Sequence, residues 1–234
     1  MEIIFWPFVS IISIGLMGNF LQFQGNIMNF ILTGAITSGV LQITQLDVAY
    51  SMLYDVWSKS VKHSFLAPIN HFHYILGGWF VGILRGILVF LLMLMFSRHY
   101  FGFSLPTFTV TVIFLAGVFL NGMVLGVLVC ILVFFFGQKV DIAAWSFVAL
   151  IMLFCGIYYP VSSLPPAAKI IAELIPLTYF LDYFRIEYGF TPVFPHALWL
   201  GFGEIIIYLV FSFYGLEWAY QKSCKSGMIL RLSE

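Results

Sequence analysis

Charge is scarce in this chain. Ten Lys and Arg and ten Asp and Glu make up 9% of its 234 residues, against about 25% in a typical soluble domain. They cancel to a formal net charge of zero, so no global field points to nucleic acid. Cysteine is also rare. Cys130, Cys155 and Cys224 lie far apart, two of them inside apolar runs, and read as small buried apolar residues rather than as a disulfide framework or ligand set. No Gly-Lys dipeptide occurs, so ATP has no Walker A loop to bind. The opening MEIIFWPF carries an acid and no basic stretch, unlike a cleaved signal peptide. No internal repeat is found, which counts against an inverted-repeat carrier. No serine or cysteine has the neighbours of an intramembrane nucleophile.

What is abundant is apolar and aromatic. The chain is 62% hydrophobic, with 27 Phe, 12 Tyr and 6 Trp, more than a soluble domain of this length can hide, so its solvent is lipid. About 20 apolar helical residues cross a bilayer core of about 30 Å. Read that way, the chain is an all-α integral membrane protein with six expected spans, near 3–22, 26–46, 74–96, 107–136, 142–161 and 196–220. The Gly25-Asn26 pair makes a tight turn between the first two. Lys59, Lys62, Lys139, Lys222, Lys225 and Arg231 then fall on one side, and Arg98, Lys169 and Arg185 on the other. The richer side is expected to be cytoplasmic, with both termini on it.

Between spans two and three, Leu46, Tyr50, Leu53, Trp57 and Val61 gather on one helical arc, opposite Asp47, Ser51, Asp55, Ser58, Lys59, Lys62 and His63. Val48 and Met52 break the pattern, and Pro68 ends the helix. Asp55 precedes Lys59 by four, the favourable order for a helical ion pair. The segment reads equally as an interfacial helix lying on headgroups or as a docking surface for a cytoplasmic partner. Two charges fall inside spans, Arg85 in the third and Glu204 in the sixth. An unpaired charge at such depth costs at least about 2.5–3.5 kcal/mol. An Arg85–Glu204 pair is one expectation, and two independent charges facing polar cavities the other. His63, His71 and His73 lack a carboxylate or thiol to complete a metal site, so no metal is expected.

The segment GIYYPVSSLPPAAKIIAELIPLTYFLDYFR (156–185) is too apolar for a loop and too interrupted by proline for a span. It resembles the signature region of ABC transporter permeases of the ABC-2 class, in Gly156, Tyr159, Pro160, Val161, Leu164, Pro165, Pro176, Leu177, Thr178 and Arg185. FWPFVSIISIGLMG (5–18) is similar to the family's first span, LYDVWSKSVKHSFLAPINHFHYILG (53–77) to its segment after the second, and FGQKVDIAAW (136–145) to the entry of its fifth. These matches run in order along almost the whole chain.

The resemblance implies one transmembrane domain over 1–234, with 46–70 as a cytoplasmic coupling region. Residues 162–195 become a re-entrant pair of short helices capping the outer exit, with Gly156, Tyr159, Pro160, Pro165, Pro176, Thr178 and Arg185 as gate residues. Asp55, Trp57, Lys59, Lys62 and Pro68 would dock a separate ATPase subunit, which holds ATP and Mg while this chain carries no cofactor. The physics agrees: pieces of about 10 residues enter a bilayer without crossing it, and Pro165, Pro166 and Pro176 suit helix starts. The implied protein is a multi-pass plasma-membrane exporter subunit. It would pair with a second permease copy, identical or homologous, and move an amphipathic, drug-like or lipid-linked substrate. Polysaccharide also fits, with Tyr158, Tyr159, Tyr179 and Tyr183 placed to stack on sugar rings. Family members usually carry an amphipathic elbow helix before span one, whereas here the first span starts almost at Met1. Two other readings stand beside this one: a lipid-modifying membrane enzyme using Asp47, Asp55 and the histidines, and an ATP-independent carrier or channel.

Overall fold

A computed structural model describes residues 2–23, 25–60 and 70–226. Among them the chain is helical, with no strand. Among the described residues eight α-helices follow one another: α1 (Glu2–Phe20), α2 (Asn26–Trp57), α3 (His71–Phe101), α4 (Phe108–Phe136), α5 (Asp141–Phe154), α6 (Pro166–Glu173), α7 (Pro176–Ile186) and α8 (Ala197–Ser226). Four stretches, Asn26–Trp57, Phe72–Phe101, Phe108–Phe136 and Ala197–Lys225, are long and apolar enough to cross a membrane. Phe5–Phe20 and Asp141–Phe154 are shorter apolar helices.

The helix ends follow local chemistry. Gly25 sits at φ 56° and turns the chain from α1 into α2. Asn70 caps α3, its side chain accepting from the Phe72 amide while His73 Nδ1 accepts from the Asn70 amide. Gly102, at φ 68°, closes the other end of α3 in the left-handed conformation that glycine enters without strain. α6 and α7 both begin with proline in the first turn, where a missing amide hydrogen costs nothing.

Two expected boundaries are corrected. The second span does not end near 46: with no Gly or Pro from 40 to 57, α2 continues unbroken to Trp57, about 48 Å in all. No separate helix begins at 46, and the buried face shares only Leu53 with the fully buried core and otherwise departs from the expected arc. Val48 and Met52, which broke that arc, are in the core with Ala49, Leu53 and Val56, packed on Met123, Val127, Cys130 and Val133 of α4. Leu46 and Tyr50 are only partly buried. The arc assumed water on one side of the helix, whereas α2 packs against protein on several. The fifth span does not run to 161 as a helix. It stops at Phe154, about 21 Å long, where Gly156 takes φ 71° and Pro160 follows.

Burial sorts the long helices into layers. In α2, 89% of the most apolar window is buried, and in α4 72%, against 33% in α3 and 22% in α8. α2 and α4 therefore form the centre, with α3 and α8 exposing apolar faces such as Phe80, Leu84 and Leu88, and Trp199, Phe211 and Tyr214. Water does not tolerate such faces in long contiguous rows, whereas lipid does. α7 belongs to the core: Leu177, Phe180, Leu181 and Phe184, at i, i+3, i+4 and i+7, are at most 2% exposed and pack on α4 and α8. Thr33, Thr37 and Thr44 return their hydroxyls to carbonyls four residues back, which satisfies polar atoms inside the apolar centre.

Candidate functional site

Two regions at opposite ends of α2 collect the residues that the sequence singles out, and a third lies between them. At the α6–α7 end the organising group is Arg185, only 5% exposed. Its Nη1 donates to the Gly156 carbonyl at 2.6 Å and its Nη2 to the Ile157 carbonyl at 2.5 Å. The guanidinium also lies 3.5 Å from the centroid of the Phe30 ring. A planar fork reaches two adjacent carbonyls at once, which an ammonium cannot. Arg185 thus ties α7 to the turn after α5 and to the start of α2.

The backbone is shaped to allow this. Gly156 turns in the left-handed region, and a Cβ on Gly34 of α2 would collide with the Ile157 carbonyl. Thr178 Oγ donates to the Ala172 carbonyl at 2.8 Å and joins α7 to the end of α6. Tyr159 donates its hydroxyl to the Leu153 carbonyl at the foot of the same turn. The Pro160 carbonyl accepts from both the amide and the hydroxyl of Ser163, closing the short 3-10 turn that precedes Pro165. Pro165 is the N-cap of α6, and Pro176 is buried in the first turn of α7. The structure therefore gathers Gly156, Tyr159, Pro160, Pro165, Pro176, Thr178 and Arg185 into one connected region. Tyr179 is buried, with its hydroxyl donating to the Glu173 carbonyl at 2.7 Å, and is not presented to a ligand. Tyr158 is half-buried, its hydroxyl 3.3 Å from Ser38 Oγ.

Five residues here gave no sequence signal in isolation. Phe30 underlies Arg185. Asp182 accepts from the Val193 and Phe194 amides at 3.1–3.2 Å, which pins the chain before α8. Asn29, Ser104 and Tyr188 link α2, the α3–α4 connection and the end of α7 through side-chain hydrogen bonds.

At the other end, Asp55, Trp57 and Lys59 stand together where α2 finishes. Trp57 is 40% exposed, its ring 5.3 Å from those of Tyr50 and Tyr54. Lys59 lies past the helix at φ 58°, so the expected helical Asp55–Lys59 pairing has no helix to carry it. Asp55 accepts instead from Ser60 Oγ at 3.0 Å. Lys62, Pro68 and His63 lie outside the described residues. Among the described residues, no group of three His, Cys, Asp or Glu is placed to hold a metal.

Between these ends the expected Arg85–Glu204 pair is replaced by another. Arg85 Nη1 donates to Asp47 Oδ1 at 2.7 Å, joining α3 to α2. Glu204 sits on α8 beside Tyr179. The reason is geometric: α3 packs closely against α2, while α8 packs on α4 and α7. The sequence conceals the partner because its apolar periodicity places Asp47 on the polar side of a separate surface helix. The absence of any helix breaker before Trp57 was the signal that Asp47 belongs to the spanning helix. Asp47 and Asp55 also engage different partners, Arg85 and Ser60, rather than forming one acidic site.

The sequence model of the family described as "ABC-2 type transporter" matches residues 1–188. The chain is 26% identical over 200 residues to the inner membrane transport permease YadH of Escherichia coli K12, covering 82% of this chain and 73% of that one. The YadH protein of Shigella flexneri matches with the same identity and coverage. With a family match over most of its length, the chain belongs to the ABC-2 type transporter family, as a transmembrane permease.

Proposed function

We propose that this chain is the permease subunit of an ATP-driven exporter in the plasma membrane, working as a pair of permeases with two copies of a separate cytoplasmic ATPase. It moves an amphipathic, drug-like or lipid-linked substrate outward. The relatives named as inner membrane transport permeases support this location. In this reading α1, α2, α3, α4, α5 and α8 cross the bilayer. α6 and α7, about 12 and 16 Å long, enter from the outer side without crossing. Ile170 and Ile171 of α6 and Leu174 just after it are exposed, as suits a short helix held in the interface. In this reading the opposite end, which carries Lys59, Lys139, Lys222 and Lys225, faces the cytoplasm, and the excess of lysine there supports it.

The observation that carries the reading is the continuity of α2. At about 48 Å it exceeds the hydrocarbon core by about 18 Å. One end presents Tyr54 and Trp57 beyond the lipid, and the other carries Phe30 and Gly34 beneath Arg185 and Ile157. A partner that displaces the Trp57 end acts through one rigid element on the α6–α7 end, with no hinge between. ATP is then spent in trans, by the partner subunit.

The experiment is co-purification of the chain with candidate ABC ATPase subunits from the same organism, followed by efflux from proteoliposomes. Wild-type chain and ATPase together are expected to transport only with hydrolysable ATP. Trp57→Ala with Lys62→Glu is expected to lose the ATPase from the complex. Substrate flux, or conversion of a lipid, by the purified chain without any ATPase overturns the proposal.

A further inference from the structure

Arg85 and Asp47 border a hollow that the fold alone does not require. Its volume is about 320 Å³, and beyond the charge pair it is walled by Trp6 of α1, Gln42, Tyr50 and Tyr54 of α2, and Trp145 of α5. The wall is held in place, with Trp145 Nε1 donating to the Tyr50 hydroxyl at 3.2 Å. A second hollow of about 360 Å³ shares Trp6, Gln42 and Trp145 with it and continues to Ser38 and Tyr158, next to the turn that Arg185 clamps. Because they share these side chains, a ligand can occupy the two hollows together as one groove, with the charge pair at one end and Trp6, Trp145 and Tyr158 along it. The charged end lies about 24 Å down α3 from its Phe101 end, in the half of the bundle remote from α6 and α7.

The two members of the pair are not equally accessible. The Asp47 side chain is 13% exposed, and its second oxygen, Oδ2, is buried without a partner, while the Arg85 side chain is 48% exposed. Asp47 occupies only Nη1 of the guanidinium. A molecule entering the groove therefore meets a cation with hydrogen-bond donors to spare, next to a carboxylate that is largely covered. Guanidinium groups with a free edge bind planar or tetrahedral oxyanions through two donors. The tyrosine and tryptophan wall accommodates an apolar body.

From this we infer that the groove binds an amphipathic anion, with its carboxylate or phosphate on Arg85 and its apolar part running along Trp6 and Trp145 toward Tyr158. Asp47 is a positioning residue. It holds Arg85 across the α2–α3 seam and competes with the ligand for it, which keeps binding weak enough to release. The inference deepens the exporter reading and rests on it for the direction of travel, though binding is measurable without transport.

The test uses the full chain in phosphatidylcholine nanodiscs, without ATPase or nucleotide, titrated with bromine-tagged dodecyl phosphate while tryptophan fluorescence is followed. Saturable quenching is expected, with bromine-tagged dodecyltrimethylammonium failing to compete. Asp47→Asn, which frees Arg85, is expected to tighten binding on the order of tenfold. Asp47→Asn with Arg85→Gln, a neutral pair that preserves shape, is expected to keep the melting temperature of a folded protein and lose saturable binding. A pair that serves packing alone gives no such opposition of sign between the single and double variants. Weaker binding in Asp47→Asn, equal binding of the cationic amphiphile, or retained binding in the double variant overturns the inference. Displacement by inorganic phosphate at the same concentration makes this a free-anion site and overturns the amphiphile assignment. Competition by phosphatidylglycerol nanodiscs would show that a membrane lipid headgroup is the source of the anion, and a lack of it that a transported amphiphile is. Failure of the ATPase to co-purify removes the exporter reading and leaves this site untouched. Loss of binding does the reverse.

Discussion

Replacing Arg185 by methionine separates the α6–α7 closure from the rest of the bundle. The change keeps most of the side-chain length but removes two charge-assisted hydrogen bonds, to Gly156 and Ile157, and the contact with Phe30. Hydrogen bonds to a charged group contribute about 1.5–3 kcal/mol each, and a carbonyl left buried without a partner costs about 1–3 kcal/mol. Against this, the variant no longer holds a guanidinium in a nearly dry site, which offsets several kcal/mol. A net loss of about 3 kcal/mol follows, confined to the contacts that hold α7 on the turn after α5. That corresponds to roughly a 100-fold rise in the open population of this region.

The native cysteines report it. Cys155 lies in that turn and Cys130 in the separate cluster around Val48 and Val127, and both are fully buried, while Cys224 is exposed. In a Cys224→Ser background, maleimide labelling of Cys155 is expected to accelerate about 100-fold in Arg185→Met. Labelling of Cys130 is expected to keep its wild-type rate. Parallel acceleration at both sites means that Arg185 stabilises the whole bundle rather than this closure. An unchanged rate at Cys155 means that the guanidinium holds nothing shut. Either result refutes the reasoning.

Gly34→Ala places a methyl group against the Ile157 carbonyl and is expected to cost about 1–3 kcal/mol through overpacking, read as a lower melting temperature. Gly203→Ala, where nothing lies within 4 Å, serves as the neutral control. A double-mutant cycle on Asp47→Asn and Arg85→Gln is expected to show a coupling of about 0.5–3 kcal/mol, whereas Arg85→Gln with Glu204→Gln adds within about 0.5 kcal/mol. Coupling in the second cycle and none in the first would restore the discarded pairing. Thr178→Val keeps the volume but loses the bond to the Ala172 carbonyl, and is expected to raise Cys155 labelling on the order of fivefold, with Thr111→Val leaving it unchanged.

Composition by itself settled the solvent. With 62% hydrophobic residues and 9% charged, this chain has too much apolar surface to fold in water, and the prolines at 166 and 176 marked where α6 and α7 begin because proline is favoured in the first helical turn, where its missing amide hydrogen is not needed. The ordered run from Gly156 to Arg185 likewise carried the family resemblance, because those residues lie close together along the chain. Tertiary structure alone decided what Arg85 and Arg185 touch, which face of α2 is buried, and that Trp6, Tyr50 and Trp145 wall one groove. Each of these depends on how a helix is rotated and which neighbour lies against it, and a linear pattern does not encode that. The apolar periodicity of 46–61 pointed to the wrong face because a helical period shows which residues align, but not whether water, lipid or another helix faces them. In α2 that neighbour is α4, so Val48 and Met52 became core residues and Asp47 was left facing Arg85.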